Sequence, residues 1–210
     1  MIGDETSARD WVRNLPECDD AALQKLEILK ESLIEENSRQ NLVARQTLAQ
    51  IWQRHIADSA QLLRHVPRGT GMRWLDLGTG AGFPGLVIAA LRPETSVTMV
   101  ESRNRRIMWL KDMCNALELD NASVAGARLE LISEAHCDVI SARAFAPLPQ
   151  LLSLASRFST PATLWVLPKG RSAAQEVAEL KGWHHMFHVE HSLTDPDAGI
   201  VVGTLLGQKG

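Results

Sequence analysis

The chain reads Trp74-Leu75-Asp76-Leu77-Gly78-Thr79-Gly80-Ala81-Gly82-Phe83-Pro84-Gly85 across the stretch that decides its fold. Apolar residues lead to one acidic residue, glycines then occupy every second position, and an apolar segment follows at 86–91. Glycine has no Cβ, so a strand that ends in such a loop brings backbone N–H groups close to a ligand. Pro84 suits the start of a helix, where its missing N–H costs nothing. The stretch therefore predicts a strand, a nucleotide-binding loop and a helix.

The spacing of the glycines indicates which nucleotide the loop binds. A dinucleotide-binding loop follows Gly-x-Gly-x-x-Gly, but the chain has Phe83 where the third glycine would stand. The observed pattern, Asp-x-Gly-x-Gly-x-Gly, is the first motif of S-adenosylmethionine (AdoMet) methyltransferases. A second predicted strand ends at Glu101, whose carboxylate is placed to accept hydrogen bonds from ribose hydroxyls. We therefore predict an AdoMet site that includes Asp76, Gly78, Gly80, Gly82 and Glu101; an ordinary tight turn is the alternative.

Composition excludes several classes of protein. The chain has 210 residues, a length that suits about one domain. Hydrophobic residues make up 45% of it and charged residues 22%, as is usual for a soluble globular protein. No segment approaches the roughly 20 apolar residues of a membrane span, and the N-terminus lacks a basic-then-apolar signal pattern. Three widely spaced cysteines predict reduced thiols and no metal site. We expect a cytoplasmic protein that does not associate with membranes.

The net charge of −3 conceals an uneven distribution. Residues 1–38 contain ten acids and four bases, whereas residues 39–73 contain six arginines and one acid. A local charge of this kind supplies the phosphate attraction that RNA binding needs. The alternative is a solvated helix face that touches nothing.

Hydrophobic periodicity predicts an α/β architecture after a helical N-terminal region. Helices are predicted at 20–35, 47–66 (with Thr47 as N-cap), 86–91, 104–117, 127–133, 148–158 and 172–180, and strands at 73–77, 96–101, 122–125, 137–142, 163–167, 184–191 and 199–206. Alternating strands and helices predict a mostly parallel sheet with helices on both faces. The last two strands have no helix between them and predict a hairpin that adds an antiparallel strand. We place a helical extension at 1–71 and one compact α/β domain at 72–210.

Five segments carry a family resemblance, and they occur in the family's order between residues 37 and 170. They are Arg54-His55-Ile56-Ala57-Asp58-Ser59, the loop 76–85, Glu101-Ser102-Arg103-Asn104-Arg105-Arg106, Ile140-Ser141-Ala142-Arg143-Ala144-Phe145 and Leu167-Pro168-Lys169-Gly170. The chain resembles the bacterial 16S rRNA (guanine-N7) methyltransferase G family (RsmG/GidB). Many methyltransferases share the glycine loop, and the other segments single out this family. The chain differs from the family's usual pattern at Glu36, where the family often has tryptophan. This difference affects the expected packing of the N-terminal helices and not the cofactor site.

The resemblance implies a Rossmann-like class I AdoMet-dependent methyltransferase fold: a mostly parallel seven-stranded sheet with an antiparallel last strand and an N-terminal helical extension. It implies AdoMet as methyl donor and, as acceptor, N7 of the guanine usually numbered 527 in 16S rRNA of the small ribosomal subunit. Carried over residue by residue, it implies AdoMet contacts at Gly78, Phe83, Leu129, Glu130 and Arg143. We expect a monomer. The alternatives are an NAD(P)-dependent oxidoreductase on the same fold and a non-catalytic rRNA-binding assembly factor.

No catalytic acid or base is predicted, because guanine N7 has a free lone pair and no proton. Arg143 and Lys169, at strand ends, are candidates for positioning the base or a phosphate; alternatively, Arg143 pairs with Glu101 or Glu130 and Lys169 is solvated. The candidates for RNA contact are Arg39, Arg45, Arg54, His55, Arg103, Arg106 and Lys169. His55 and Asp58 share one helix face and either contact RNA, dock the extension or pack a helix on the sheet.

Four histidines, at positions 184, 185, 188 and 191, raise the question of a metal site. The spacing of His184 and His188 would suit two ligands on a helix. The segment is predicted as a strand, where His185 faces away from both. We therefore predict scattered surface imidazoles and no metal ligands.

Overall fold

A computed structural model describes residues 1–69 and 71–209. The N-terminal region begins with helices α1 (Glu5–Arg13) and α2 (Asp20–Asn37). The predicted helix at 20–35 is confirmed, and it buries Leu26, Leu29 and Leu33. Helix α1 is absent from the sequence prediction. Asp4 caps it by accepting a hydrogen bond from the Ser7 amide at 2.7 Å, an N-cap of the ordinary kind.

The prediction of one regular helix at 47–66 is wrong, although the segment is helical. A composite helical segment covers residues 45–65 and consists of a 3₁₀ helix (Arg45–Gln50), a π-helix (Trp52–Ala57), helix α3 (Asp58–Ala60) and a second 3₁₀ helix (Gln61–His65). Thr47 does not cap it: its hydroxyl donates to the Ala44 carbonyl at 2.7 Å. The Glu5 carboxylate instead accepts from the Trp52 and Gln53 amides. Wide π turns of this kind are frequent at functional sites.

From residue 73 the chain alternates strands and helices as the sequence predicts. The elements are β1 (Arg73–Leu77), α4 (Gly85–Leu91), β2 (Ser96–Val100), α5 (Asn104–Ala116), β3 (Ala122–Ala125), β4 (Val139–Ala142), α6 (Leu148–Ala155), β5 (Leu164–Lys169), α7 (Ala173–Ala178), β6 (Trp183–His185), β7 (His188–His191) and β8 (Gly199–Gln208). The predicted helix at 127–133 is wrong, since only a 3₁₀ turn forms at Leu129–Leu131. This short turn has no side-chain cap at its start.

The sheet order is β3-β2-β1-β4-β5-β8-β6, with β7 also pairing with β8. Strands β1 to β5 are mutually parallel, and β8 runs antiparallel to β5, β6 and β7. The predicted C-terminal hairpin is therefore confirmed. The sheet has eight strands and not seven, because the segment 183–191 breaks into β6 and β7. The break lies opposite Gly203, where a Cβ would stand 2.3 Å from the Met186 carbonyl oxygen.

Each face of the sheet has its own hydrophobic core. Alternate residues of β1 divide between the cores: Trp74 joins the face covered by α1, α2, the composite segment, α4 and α5, whereas Leu75 and Leu77 join the face covered by α6. The N-terminal helices thus share a core with the sheet. The division of the chain at residue 71 stays a prediction. Parallel strands β1, β2, β4 and β5 end at one common edge, where the predicted site residues gather.

Candidate active site

The glycine loop after β1 depends on left-handed backbone conformations. Gly78, Gly80 and Gly82 have φ values of +63°, +61° and +100°, a region that L-residues with a Cβ avoid. Cβ atoms at Gly78 and Gly82 would lie 2.4 Å from Phe145 and 2.2 Å from Leu86. At Gly80 a Cβ would make only ordinary contacts of 3.5 Å or more. Gly78 and Gly82 are thus required for packing, whereas a Cβ at Gly80 would fit without a collision.

Asp76, predicted as a cofactor residue, lies beneath the loop and is fully buried. Its Oδ2 accepts a hydrogen bond from the Gly85 amide at 3.0 Å, and its Oδ1 accepts from the Ser141 hydroxyl at 2.7 Å. The Trp74 indole donates to the same hydroxyl at 2.8 Å. Burial raises the pKa of Asp76 to about 6. These contacts indicate that Asp76 joins the start of α4 to β4 and thereby fixes the shape of the loop.

Glu101 lies where β2 ends, beside the loop. Its Oε1 accepts hydrogen bonds from the amides of Ser102 and Arg103 at 2.7 and 2.9 Å, so it fixes the turn that leads into α5. Its Oε2 lies 3.7 Å from Nη1 of Arg106. The side chain is 7% exposed, and a buried carboxylate with one oxygen free of backbone partners suits a diol ligand.

A groove of about 270 Å³ joins the loop to Glu101. Its lining comprises Gly78, Val100, Glu101, Ser102, Ala127, Arg128, Leu129, Glu130 and Phe145. Leu129 is buried and Glu130 is exposed, so both predicted contacts border one space. Phe83 does not line the groove: its buried ring stacks on His55, with centroids 5.2 Å apart. Only the backbone of Phe83 is thereby left for a cofactor contact.

A second cavity, of about 670 Å³, opens at the same edge of the sheet. Three cations line it, and each is paired with a carboxylate that also lines it. Arg54 contacts Asp195 at 2.9 Å, Lys169 contacts Glu176 at 2.9 Å and Arg143 lies 3.7 Å from Asp58. We call this space the acceptor cavity. Its charges are balanced locally, which distinguishes it from an open patch of arginines.

Arg143 joins the composite segment to the end of β4. Its Nη1 donates to the Arg54 carbonyl and to Nδ1 of His55, both at 3.3 Å, and its guanidinium lies 5.2 Å from the centroid of the Phe83 ring. Neither Glu101 nor Glu130 is its partner. Asp58 in turn accepts from the Thr194 hydroxyl at 2.7 Å. His55 and Asp58 therefore dock the extension onto the sheet, one of the alternatives left open by the sequence.

His55 is neutral in this arrangement. Its Nε2 bonds the Thr47 hydroxyl at 2.8 Å, and that hydroxyl already donates to Ala44. Nε2 therefore carries the proton and Nδ1 accepts from Arg143. Burial, together with the charges of Arg143 and Arg54, lowers the pKa of His55 to about 3.

We predict that His55 makes the protein less stable in acid. The unfolded chain takes up a proton near pH 6.5, whereas folded His55 takes it up only near pH 3, so stability falls as the pH drops between these values. Between pH 7 and pH 5 the wild type should lose about 2 kcal/mol more than His55→Gln does. Urea unfolding of both proteins at the two pH values measures this difference. Asp76 titrates in the opposite sense in both proteins and cancels, and equal losses would contradict a neutral His55.

Lys169 is held inside the acceptor cavity and is not a solvated lysine. Its side chain is 10% exposed. Nζ donates to the Ala146 carbonyl at 2.8 Å and to Glu176 at 2.9 Å. Glu176 also accepts from the Leu148 amide and the Ser172 hydroxyl. Lys169 thus fixes the loop 143–147 against α7.

The remaining RNA candidates are dispersed. Arg39, in the turn after α2, pairs with Glu35 and Glu36 of that helix, and Arg54 pairs with Asp195. Arg45 and Arg103 are exposed. Arg106 faces the glycine loop, because its Nη1 lies 3.5 Å from where a Cβ of Gly80 would stand. Their contacts with RNA stay a prediction.

The histidines of 184–191 lie on strands β6 and β7, as predicted. Within residues 1–69 and 71–209, no three His, Cys, Asp or Glu side chains come close enough to hold a metal ion. Across the same residues, no helix is both long and apolar enough to cross a bilayer.

Sequence reasoning missed Glu176, Asp195 and Phe145 as lining residues. Phe145 stood in a quoted motif, but nothing in its local pattern indicated a cavity.

Comparison with solved structures supports the fold assignment. A crystal structure of a SAM-dependent methyltransferase from Aquifex aeolicus superposes with a TM-score of 0.55 at 17% identity, covering 71% of this chain and 89% of that one. At this identity the similarity concerns the fold alone. The predicted Rossmann-like class I methyltransferase fold is thereby confirmed.

Sequence comparison gives the family. The family model described as rRNA small subunit methyltransferase G matches residues 22–195. A protein of Erythrobacter litoralis named ribosomal RNA small subunit methyltransferase G is 57% identical over 97% of each chain. A protein of the same name from Novosphingobium aromaticivorans is 56% identical, over 98% of this chain and 90% of its own length. The chain belongs to the rRNA small subunit methyltransferase G family.

Proposed function

We propose that the protein transfers a methyl group from AdoMet to N7 of a guanine in 16S rRNA, the nucleotide usually numbered 527. The observation that carries the proposal is the pair of neighbouring cavities, one beside the glycine loop and Glu101 and one lined by Arg143 and Lys169. Membership of a methyltransferase family excludes the dinucleotide oxidoreductase, and an intact cofactor groove argues against a non-catalytic assembly factor.

The residues of the groove fit AdoMet. Gly78 lines the groove, a Cβ at Gly80 would meet no atom closer than 3.5 Å, and Oε2 of Glu101 has no backbone partner. Gly78, Gly80, Gly82 and the backbone of Phe83 would hold the amino-acid portion, Glu101 the ribose and the segment 127–130 the adenine. When bound, AdoMet supplies an electrophilic methyl group on a sulfonium centre.

The acceptor cavity would orient the guanine. N7 has a lone pair and no proton, so the protein needs no general base, and alignment of the reacting atoms is its main contribution. Methyl transfer leaves positive charge on the purine. Asp58, Asp195 and Glu176 balance the cations of this cavity, so it presents no net positive field against that charge. Arg143 and Lys169 act as positioning residues in this scheme.

The acceptor base must leave its stack to enter the cavity. N7 lies on the major-groove edge, which is deep and narrow in A-form RNA, so a flipped or single-stranded guanine is the substrate. We propose 16S rRNA, free or in the small subunit, as the partner of a monomeric protein in the cytoplasm. Exposed Arg45 and Arg103 are the arginines we assign to phosphate contact.

The test is tritium transfer from labelled AdoMet to small subunits that lack the modification, followed by mapping of the labelled base. The expected result is one labelled guanine that cleaves under conditions selective for N7-methylguanosine. Label on another base, or at another atom of guanine, would overturn the acceptor assignment. No label on any rRNA species would overturn the proposed activity.

We predict that Glu101→Gln raises the Kd for AdoMet about tenfold to a hundredfold, because a charge-assisted hydrogen bond contributes about 1.5–3 kcal/mol. The glutamine Oε1 still accepts from Ser102 and Arg103, so the start of α5 is retained. Isothermal titration calorimetry measures the change. Glu130→Gln, on the exposed side of the same groove, is the matched control and should change Kd less than Glu101→Gln. A change below twofold for Glu101→Gln would place the ribose contact elsewhere.

A further inference from the structure

Phe145 lies between the two cavities. Its side chain lines both the groove that contains Glu101 and the acceptor cavity that contains Arg143 and Lys169. The side chain is partly buried and packs against the hydrophobic core on the α6 face of the sheet. Phe145 is the residue that the two linings share, so a donor in one cavity and an acceptor in the other would both lie near it.

The ring is held against the glycine loop, and the backbone before it is anchored at the acceptor cavity. Toward the donor side it packs on Gly78, where a Cβ would stand 2.4 Å from Cδ2 of the ring. Toward the acceptor side its backbone follows Arg143, which is anchored on the composite segment. The contact with Gly78 thus fixes the position of the ring relative to the glycine loop.

Backbone strain accompanies this placement. Ala144, immediately before Phe145, has φ = +52°, a left-handed conformation that is costly for a residue with a Cβ. Such conformations persist where surrounding contacts impose them, and they cluster at functional sites. Arg143 and Lys169 impose this one, since Arg143 bonds the Arg54 carbonyl and Lys169 bonds the Ala146 carbonyl.

We propose that the ring of Phe145 is the platform on which the acceptor purine stacks during methyl transfer. This inference rests on the proposed function and assigns to the same site a residue that sets the position of the base. Among the described residues that line the acceptor cavity, Phe145 is the one phenyl group. His55 also lines the cavity, but one face of its imidazole is covered by Phe83. Stacking on an aromatic ring aligns a planar base without reading its edges, which leaves N7 free for the reaction.

The experiment compares Phe145→Leu, which retains apolar bulk, with Phe145→Tyr, which retains the ring. Both variants are assayed for single-turnover methyl transfer to unmodified small subunits at saturating AdoMet and saturating protein. Calorimetry gives their Kd for AdoMet, and thermal melting shows whether they fold. We expect Phe145→Leu to slow transfer about tenfold or more, from the stacking energy of one base. Its Kd for AdoMet should stay within about twofold, and Phe145→Tyr should transfer at nearly the wild-type rate.

Three outcomes would overturn the proposal. Wild-type transfer by Phe145→Leu would show that the ring is not needed. A Kd for AdoMet that weakens in step with the rate would assign the ring to the cofactor. Equal slowing by Phe145→Tyr and Phe145→Leu would mean that the shape of the side chain, and not the aromatic face, matters. The proposed function fails separately, if the wild-type protein labels no guanine N7.

Discussion

Replacing Gly80 with valine should abolish detectable AdoMet binding while leaving a folded protein. A Cβ at this position would make only ordinary contacts, 3.5 Å from Arg106 and 3.7 Å from the Gly78 carbonyl oxygen. A branched side chain would therefore project into the space that a ligand needs and would not collide with the core. We expect the Kd to rise by at least about a hundredfold, equivalent to about 3 kcal/mol.

Backbone strain at Gly80 requires its own control. Valine at φ = +61° is strained whatever surrounds it, at a cost of roughly 1–2 kcal/mol. Gly182 has φ = +80° and open surroundings, and it lies before β6 outside both cavities. Gly182→Val should thus lose similar stability and bind AdoMet normally. Calorimetry and thermal melting of the two variants separate the effects, and normal AdoMet binding by Gly80→Val would refute the assignment of the loop.

Replacing Arg92 with methionine should destabilise the protein by about 3–5 kcal/mol, the usual cost of removing one partner from a buried ion pair. Arg92 is 2% exposed although it carries a full charge. Its guanidinium donates to the carbonyls of Leu63, Val66 and Pro67 and to the Glu17 carboxylate. Removing it leaves carbonyls at the end of the composite segment without their partner. It also breaks the connection between α4 and the N-terminal region.

Arg68 provides a matched control for this variant. It contacts the same Glu17 oxygen, at 3.1 Å, but its side chain is 59% exposed. Arg68→Met should cost less than about 1 kcal/mol, as exposed ion pairs do. Urea unfolding measures both changes in free energy. Similar losses for the two variants would mean that the ion pair with Glu17, and not the buried carbonyl contacts of Arg92, dominates.

The sequence by itself determined the features that depend on a few consecutive residues. The glycine loop was predictable because glycine, which has no Cβ, readily adopts the left-handed backbone found at Gly78, Gly80 and Gly82. The order of strands and helices followed from local periodicity, and the gathering of Glu101, Arg143 and Lys169 at one edge followed from the geometry of parallel strands. Five motif segments sufficed for the family.

Only the tertiary structure decided what these side chains contact. Asp76 lies under the loop, because its carboxylate accepts from Gly85 and from Ser141, 65 residues away, and its contact with the cofactor stays a prediction. Arg54, 141 residues from Asp195 in the chain, pairs with it in the lining of the acceptor cavity. The composite segment also departs from a regular helix where Arg143 bonds its Arg54 carbonyl. A local pattern specifies backbone conformation and the face on which a side chain lies, whereas the partner of a buried charge or ring depends on which distant segment packs against it.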